Sequence, residues 1–314
     1  MDPIVGPSPA PPSAAKARAW IALAALLWST SGAFTKLLTQ PTALGLNVPA
    51  LHPLEIAFFR VFLAGLVLLP TVPRRERSWR PLMLPMALSF GAMNACYIAA
   101  QAWGTAANAV LLQYTAPLWM YLASVWWLGE APDRRSFLAL GVGLIGIGVI
   151  LAGGRSAQLP VMMLGLGSGL GYAAVVIFLR ILRNAAPRWL TALNHLAGAL
   201  ALVPFFFWQR PTAPSAGQYA ILILFGTVQM ALPYWLMARG LRSLSAQEAG
   251  TITLLEPIFN PLWAYLVSPQ TEAPTIPTLV GGACILGALL WRYWPFGARG
   301  QEGMPAAEKA LRNG

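Results

Sequence analysis

The chain has 314 residues, of which 57% are apolar and 10% charged, and its formal net charge is +11. An ordinary soluble domain carries about 25% charged residues, so this composition excludes a water-soluble globular protein. The first residues, MDPIVGPSPAPPSAA, are rich in proline and small side chains and lack the apolar run of a cleavable signal peptide. We expect residues 1–17 to be a disordered cytoplasmic tail.

Apolar runs of bilayer-spanning length, about 20 residues each, then follow one another along the chain. No charged residue occurs between Pro81 and Gly129, which leaves room for two crossings with a break at Gly104-Thr105. The sequence therefore predicts an all-α integral membrane protein. Its ten predicted transmembrane helices lie near residues 18–38, 53–72, 82–102, 105–127, 135–152, 159–182, 189–208, 217–237, 246–267 and 275–294.

The two halves of the chain resemble each other. The segment NAVLLQYTAPLWMYL at 108–122 returns 140 positions later as EAGTITLLEPIFNPL, with Pro117 matching Pro257. Internal duplication in an apolar chain is typical of secondary transporters, whose substrate site lies between the repeats. We predict a first five-helix repeat over 18–152, a second over 153–294, and a cytoplasmic tail over 295–314.

Basic residues predict the orientation, because short cytoplasmic loops carry an excess of Lys and Arg. With both termini in the cytoplasm, 17 of the 21 basic residues fall on the inner side, and only Arg155 and Arg210 fall in outer loops. Five helices per repeat is an odd number, so the second repeat is inverted and the structure has two nearly equivalent ways to open, one to each side. The charges are spread over loops, which argues against a nucleic-acid partner.

Polar side chains within the spans indicate the candidate site, because they are costly in hydrocarbon unless they face a cavity or the bundle interior. Three predicted spans carry a stripe at helical spacing that includes polar residues. The stripes are Asn94, Ile98 and Gln101 on the third span, with Tyr97 beside them, Asn108, Thr115 and Trp119 on the fourth, and Thr253, Glu256, Asn260 and Trp263 on the ninth. For the ninth span, the lining of a cavity and simple hydrogen bonding between helices both remain open.

Glu256 is the most informative of these residues, since a carboxylate within a span either finds a cation or becomes protonated. It would bind a substrate amine, carry a coupling proton, or pair with Lys36 or Arg60. For Lys36, near the outer end of the first span, extension to the lipid headgroups is the simpler interpretation. Arg60 would form a structural ion pair with Glu55 or hold a substrate carboxylate.

Aromatic residues fall at midplane depth in several spans. Trp28 and Tyr172 occupy matching positions in the two repeats, and Tyr234 follows Gln229 in the eighth span. Such rings offer apolar walls and cation–π faces for organic cations or aromatic side chains, and ordinary packing in the bundle is the alternative.

Prolines and glycines predict the shape of the helices. Pro117, Pro233, Pro257 and Pro261 lie within spans and should bend them. The close approach of helices is predicted at two glycine series, which are Gly141, Gly143, Gly146 and Gly148 in the fifth span and Gly281, Gly282 and Gly287 in the tenth.

Motifs for catalysis, nucleotides or metals are missing from the sequence. His52 and His195 lack metal-binding spacing, and there is no nucleophile elbow or Walker A loop. We therefore expect no enzymatic activity, no metal and no cofactor, and transport that is secondary or facilitated.

The segments LLQYTAPLW and LLEPIFNPLWAYL, with the Gly129-Glu130 turn before a glycine-rich span, resemble the EamA family of the drug/metabolite transporter (DMT) superfamily. Within it, the chain is similar to YddG-type aromatic amino acid exporters. The second repeat departs from the pattern, because Ser268-Pro269-Gln270 replaces the first repeat's turn and Glu272 is a shifted substitute.

This resemblance implies a helical basket around a central cavity and a multi-pass exporter of the bacterial cytoplasmic (inner) membrane. The expected partners are the lipid bilayer and a small-molecule substrate, namely amino acids or related metabolites, and a monomer is one of the assemblies left open. Three rivals remain, a multidrug or organic-cation exporter on the same scaffold, a membrane-embedded enzyme and a structural membrane adaptor.

Overall fold

The computed structural model describes residues 12–127, 129, 131, 133–154 and 158–293, apart from the side chains of residues 246, 247 and 293. Within these ranges the regular secondary structure is entirely helical. The first half contains α1 (Ala14–Ser29), α2 (Ser31–Thr39), α3 (Pro53–Leu68), α4 (Met83–Trp103), α5 (Ala106–Gln113), α6 (Ala116–Trp126) and α7 (Arg134–Gly153). The second half contains α8 (Leu159–Ile181), α9 (Pro187–Gln209), α10 (Ala216–Leu224), a π-helical segment (Phe225–Ala231), α11 (Leu232–Gly240), α12 (Ala246–Thr253), α13 (Leu255–Val267), α14 (Pro269–Glu272) and α15 (Ile276–Tyr293).

Several sequence predictions fall outside the described residues. They concern the tail at 295–314, most of the tail at 1–17, Arg155, and Glu130 of the predicted turn. Helix α1 begins at Ala14, four residues before the start of the predicted first span.

Seven helical stretches are long and apolar enough to cross a membrane, and they run over Ala14–Thr39, Pro53–Thr71, Met83–Trp103, Arg134–Gly153, Leu159–Ile181, Pro187–Gln209 and Ala216–Gly240. Large apolar side chains such as Phe207 and Trp208 are 79% and 86% exposed, whereas Arg60 and Gln229 are 4% and 0% exposed. This distribution reverses that of a soluble protein. It fits the predicted all-α integral membrane protein.

Two further apolar stretches are broken helices. α5 ends at Gln113 and α6 begins at Ala116, while α12 ends at Thr253 and α13 begins at Leu255. Each break lies just before a matched proline, Pro117 or Pro257, which cannot donate a backbone hydrogen bond. The stripe predicted on the fourth span is interrupted between Asn108 and Thr115. On the ninth span only Thr253 lies across the break, and Glu256, Asn260 and Trp263 share α13.

The two halves of the chain interleave. α4 packs along α8 and α9, α3 packs against α9 and the π-helical segment, and α7 packs along α15. α13 crosses α1 and α2. Side chains from both halves consequently meet inside the bundle.

A buried ion pair joins three segments at one end of the bundle. Nζ of Lys36 lies 2.7 Å from Oε1 of Glu272, and both side chains are 1% exposed. Lys36 also donates to the carbonyl oxygen of Gly104, and the amide of Ala106 donates to Oε2 of Glu272. The expectation that Lys36 extends to the headgroups is wrong. Glu272 is the second repeat's counterpart of the Gly129-Glu130 turn, and it makes a buried contact with the first half of the chain.

Glycines permit the contact between α7 and α15. A Cβ atom on Gly281 would lie 2.5 Å from the carbonyl oxygen of Gly146, and one on Gly146 would lie 2.7 Å from that of Gly281. The predicted close approach is confirmed for this pair. It is wrong for Gly141, Gly148 and Gly287, where an added Cβ would meet nothing within 4 Å.

Removing one partner of the buried ion pair should destabilise the fold strongly. Glu272→Gln leaves the Lys36 ammonium buried without a counter-charge, which costs about 3–5 kcal/mol, and thermal unfolding in detergent measures the loss. The Lys36→Met/Glu272→Leu double variant should be less damaging than Glu272→Gln. Glu248→Gln is the control, because its pair with Arg18 is exposed and worth at most about 1 kcal/mol. Equal melting temperatures for Glu272→Gln and wild type would contradict the structural role.

Adding one methyl group should separate tight from open glycine positions. We expect Gly281→Ala to lower the free energy of unfolding by about 1–3 kcal/mol, because its Cβ meets backbone that has to move. Gly148→Ala, in the same helix as Gly146, should be neutral or stabilising by about 0.5–1 kcal/mol. Thermal unfolding of both variants checks the difference, and a more stable Gly281→Ala protein would refute the packing interpretation.

Candidate functional site

Arg60 of α3 is buried between amides and aromatic rings. Its Nε donates to Oε1 of Gln229 at 3.1 Å, and its Nη1 donates to Oδ1 of Asn94 at 2.8 Å. The guanidinium also lies over the rings of Tyr97 and Phe225, at 5.9 and 5.2 Å from their centroids. These contacts solvate the cation without neutralising it.

Glu55 is not the partner of Arg60. The described residues contain no ion pair between them, and Oε2 of Glu55 is buried without a hydrogen bond. At about 100° per helical residue, positions five apart point in directions about 140° apart. The predicted alternative of a structural Arg60–Glu55 ion pair is therefore wrong.

Glu256 lies where the two helix breaks meet. Its Oε2 accepts a hydrogen bond at 2.9 Å from the hydroxyl of Tyr114, which also lies 2.9 Å from the carbonyl oxygen of Thr253. Tyr114 occupies the break between α5 and α6, and Thr253 ends α12. Interrupted helices free backbone carbonyls. Here the second-half break leaves the carbonyl oxygen of Thr253 beside the Tyr114 hydroxyl, and the first-half break places that hydroxyl at the Glu256 carboxylate.

The expected ion pair of Glu256 with Lys36 or Arg60 is wrong within the described residues. Lys36 binds Glu272 instead. Arg60 and Glu256 do interact electrostatically, yet their charged atoms are not within ion-pair distance. The bundle thus holds a guanidinium and a carboxylate that act on each other but do not touch.

Tyr97 and Asn260 connect the two charged groups. Nδ2 of Asn260 donates to the Tyr97 hydroxyl at 3.1 Å, and Asn260 lies one helical turn after Glu256 on α13. The Tyr97 ring in turn faces Arg60. Further along α4, Oε1 of Gln101 accepts hydrogen bonds from the hydroxyls of two α2 residues. The third-span stripe therefore faces the other helices of this cluster.

Aromatic rings form one wall of the site. Trp28 and Tyr234 contact edge to face at 5.2 Å, and the Tyr234 ring lies 4.9 Å from His195. Nε1 of Trp263 donates to Ser29, and Nε2 of Gln229 donates to the carbonyl oxygen of Trp28. The π-helical segment that carries Gln229 precedes Pro233, and such segments are frequent at functional sites.

Three predicted site residues, Asn108, Thr115 and Trp119, lie apart from this cluster. Asn108 accepts a hydrogen bond from Thr278 of α15. Thr115 bonds to the carbonyl oxygen of Leu112 and to the indole of Trp119, and it packs against α8. Tyr172 is 42% exposed and interacts electrostatically with Tyr114.

Tyr114, His195 and Phe225 were missed as site residues by the sequence predictions. Tyr114 was treated as part of a continuous helix, although its place just before Pro117 was the available signal. His195 was considered only as a metal ligand. The described residues contain no group of three or more His, Cys, Asp or Glu side chains suited to a metal.

The two ends of the bundle differ. A cavity of about 380 Å³ reaches Tyr234 from the end where α1 begins. The opposite end of the first span carries the buried Lys36–Glu272 pair. The cluster therefore has features of a binding site for a small molecule, namely separated charges, an apolar wall, and amide atoms of Gln101 and Asn260 without a hydrogen-bond partner.

Known proteins share both sequence and fold with this chain. One relative is a transporter of Archaeoglobus fulgidus whose name states no substrate. It is 32% identical over 246 residues, which cover 76% of this chain and 87% of the relative. The S-adenosylmethionine uptake transporter of Rickettsia bellii is 23% identical, over 77% of this chain and 84% of the relative. The pseudopaline exporter CntI of Pseudomonas aeruginosa is 24% identical, over 75% and 84%.

A solved crystal structure has the same fold at 18% identity, with a TM-score of 0.62, and the match covers 89% of this chain and 98% of that one. The EamA-like transporter family matches residues 15–152 and 159–294, which are the two halves described above. Small-molecule substrates and a membrane environment go with that membership. The chain belongs to the EamA-like transporter family of the DMT superfamily.

Proposed function

We propose that the chain is a secondary transporter that exports amino acids or related small metabolites, aromatic ones included, across the bacterial cytoplasmic membrane by alternating access. The observation behind this proposal is the separation of Arg60 from Glu256. One charge comes from each half of the chain, and neither has a counter-ion among the described residues. A zwitterion carries the carboxylate and the ammonium group that complement both.

Arg60 and Glu256 each retain a polar atom that can bind the zwitterion. Arg60 uses Nε and Nη1 in hydrogen bonds, and Glu256 uses Oε2. Nη2 of Arg60 and Oε1 of Glu256 make no hydrogen bond to the described residues. Hydrogen bonds to charged groups contribute about 1.5–3 kcal/mol each, so two of them supply selectivity for a zwitterion over a neutral molecule.

The aromatic wall supports a substrate with an aromatic side chain. Trp28 and Tyr234 meet edge to face, and Trp263 is fixed through its indole nitrogen. Fixed rings contribute about 0.5–1.5 kcal/mol to an aromatic pair beyond area burial. That gain is modest, so the proposed site accepts aromatic substrates without excluding aliphatic ones.

One observation favours the organic-cation exporter as a second candidate. Glu256 is partly exposed, whereas Arg60 is 4% exposed. A lipophilic cation would reach Glu256 and the aromatic wall without using Arg60. The amino acid exporter and the organic-cation exporter therefore differ in whether transport requires Arg60.

The proposed mechanism uses ten spans in two inverted repeats with both termini in the cytoplasm. Helices α5 with α6 and α12 with α13 supply the fourth and ninth spans, and α15 supplies the tenth. Matched breaks in the two halves support the repeat, and the contrast between an end with a buried ion pair and an end with a cavity of about 380 Å³ supports alternating access. Named relatives include one uptake transporter and one exporter, so the outward direction rests on the resemblance in sequence.

Transport by proteoliposomes tests the substrate class. We expect uptake of phenylalanine but not of phenethylamine or 3-phenylpropionate, each of which lacks one of the two charges. Glu256→Gln and Arg60→Lys should each reduce phenylalanine uptake about 10- to 100-fold, the factor that corresponds to one charge-assisted hydrogen bond. Radiolabelled uptake with and without an imposed pH gradient is the measurement.

The control for these variants is Arg75→Gln, which removes an exposed arginine outside the site. Its uptake should equal that of wild type, and thermal unfolding verifies that all variants fold. Gradient-driven phenethylamine transport that needs Glu256 but not Arg60 would replace the amino acid assignment with the organic-cation one. Absence of transport for all three compounds would contradict both.

Cysteine labelling tests the inverted topology. In a background lacking Cys96 and Cys284, a membrane-impermeant maleimide should label Leu44→Cys and Thr212→Cys in intact cells. It should label Arg75→Cys and Arg183→Cys only after permeabilisation. All four positions are exposed in the structure. Labelling of Leu44→Cys and Arg183→Cys from the same side would be incompatible with the proposed topology.

A further inference from the structure

A basic vestibule lies at the end of the bundle where α1 begins. This cavity of about 380 Å³ is bounded by the first turns of α1 and α9, the end of α3 and the end of α11. It is lined by Pro12, Lys16, Trp20, Leu68, Thr71, Arg188, Thr191, Tyr234, Trp235, Ala238, Arg239 and Arg242. Four of these side chains are cationic and none is a carboxylate.

Three cations of the vestibule, Lys16, Arg188 and Arg239, lack a carboxylate partner among the described residues. Glu248 of α12 binds Nε of Arg18 at 2.6 Å, and neither residue lines the cavity. Excess positive charge on cytoplasmic loops is expected in any membrane protein, but that rule does not require cations from three helices to converge on one cavity.

Aromatic rings hold two of the cations at the cavity. The guanidinium of Arg239 lies 3.6 Å from the ring centroid of Trp235 and 5.8 Å from that of Trp20. Nζ of Lys16 lies 5.2 Å from the same Trp20 ring. Stacking on a ring orders a guanidinium and leaves its charge available. The vestibule is thus partly organised for an anion before any ligand enters.

The vestibule adjoins the central cluster through Tyr234. This residue lines the cavity, and its ring contacts both Trp28 and His195. A molecule whose anionic group lies among the cations would place its remaining atoms against Trp235 or toward Tyr234.

We propose that the basic vestibule is a binding site for the carboxylate or phosphate group of a small organic molecule. Arg188 and Arg239 bind the anionic oxygens, Lys16 adds a third positive charge, and Trp235 contacts the apolar part of the ligand. A soluble metabolite and a lipid headgroup share this chemistry. The role of the site as the first contact of a transported molecule rests on the proposed function, whereas anion binding itself does not.

Calorimetry on the full chain in phosphatidylcholine nanodiscs tests the site with indole-3-acetate and its neutral isostere indole-3-acetamide. We expect the acid to bind and the amide to bind at least 10-fold more weakly. Arg188→Gln and Arg239→Gln should each weaken binding of the acid at least 10-fold, and Arg75→Gln should leave it unchanged. Raising the salt concentration from 50 to 300 mM should weaken binding, because the site is open to solvent.

Two further measurements identify whether the bound anion is a lipid headgroup or a soluble molecule, and distinguish anion binding in the vestibule from the proposed transport function. If indole-3-acetate no longer binds in nanodiscs that contain phosphatidylglycerol, the anion site exists and lipid headgroups occupy it. If binding is undiminished, the anion site exists and takes soluble anions. Glu256→Gln should retain this binding even where it abolishes transport. Equal affinity for acid and amide, no binding by wild type, or full binding by a folded Arg239→Gln variant would overturn the proposal.

Discussion

The cost of placing charge inside an apolar bundle governs this structure. An ionised side chain within a membrane needs partners or water, and three residues meet this need in different ways. Lys36 has a direct counter-ion in Glu272. Arg60 is surrounded by amide oxygens and rings, and Glu256 has a tyrosine hydroxyl. Only the first arrangement neutralises the charge, so the first is structural and the other two remain able to bind a ligand.

Broken helices explain why the uncompensated carboxylate lies where the halves of the chain meet. The break before Pro117 brings Tyr114 to Glu256, and the break before Pro257 brings the carbonyl oxygen of Thr253 to the same hydroxyl. That carbonyl is available because the residue four positions later is Pro257, which has no N–H to donate. The duplication therefore supplies two matched interruptions, and their packing against each other creates a polar centre that neither half contains alone.

The sequence predicted the helical class, the duplication and most polar residues of the centre, because apolar run length, internal repetition and the rarity of polar groups in spans are local signals. It did not predict which charged residues form ion pairs. The Lys36–Glu272 contact joins residues 236 positions apart, and nothing in the spacing distinguishes Glu272 from Glu256 as the partner. Likewise, helical periodicity placed Asn108 and Thr115 on one stripe, which fails once the helix breaks between them.

The two ends of the bundle place charge in opposite ways. At one end, unlike charges meet in a buried pair, and in the proposed alternating access water would solvate that pair when the end opens. At the other end, like charges line a cavity, and closing it forces Lys16, Arg188 and Arg239 toward one another. Repulsion of this kind opposes closure unless an anion lies between the cations. On the proposed mechanism, a molecule that carries its own carboxylate would lower the barrier to closing the vestibule, and an empty carrier would not.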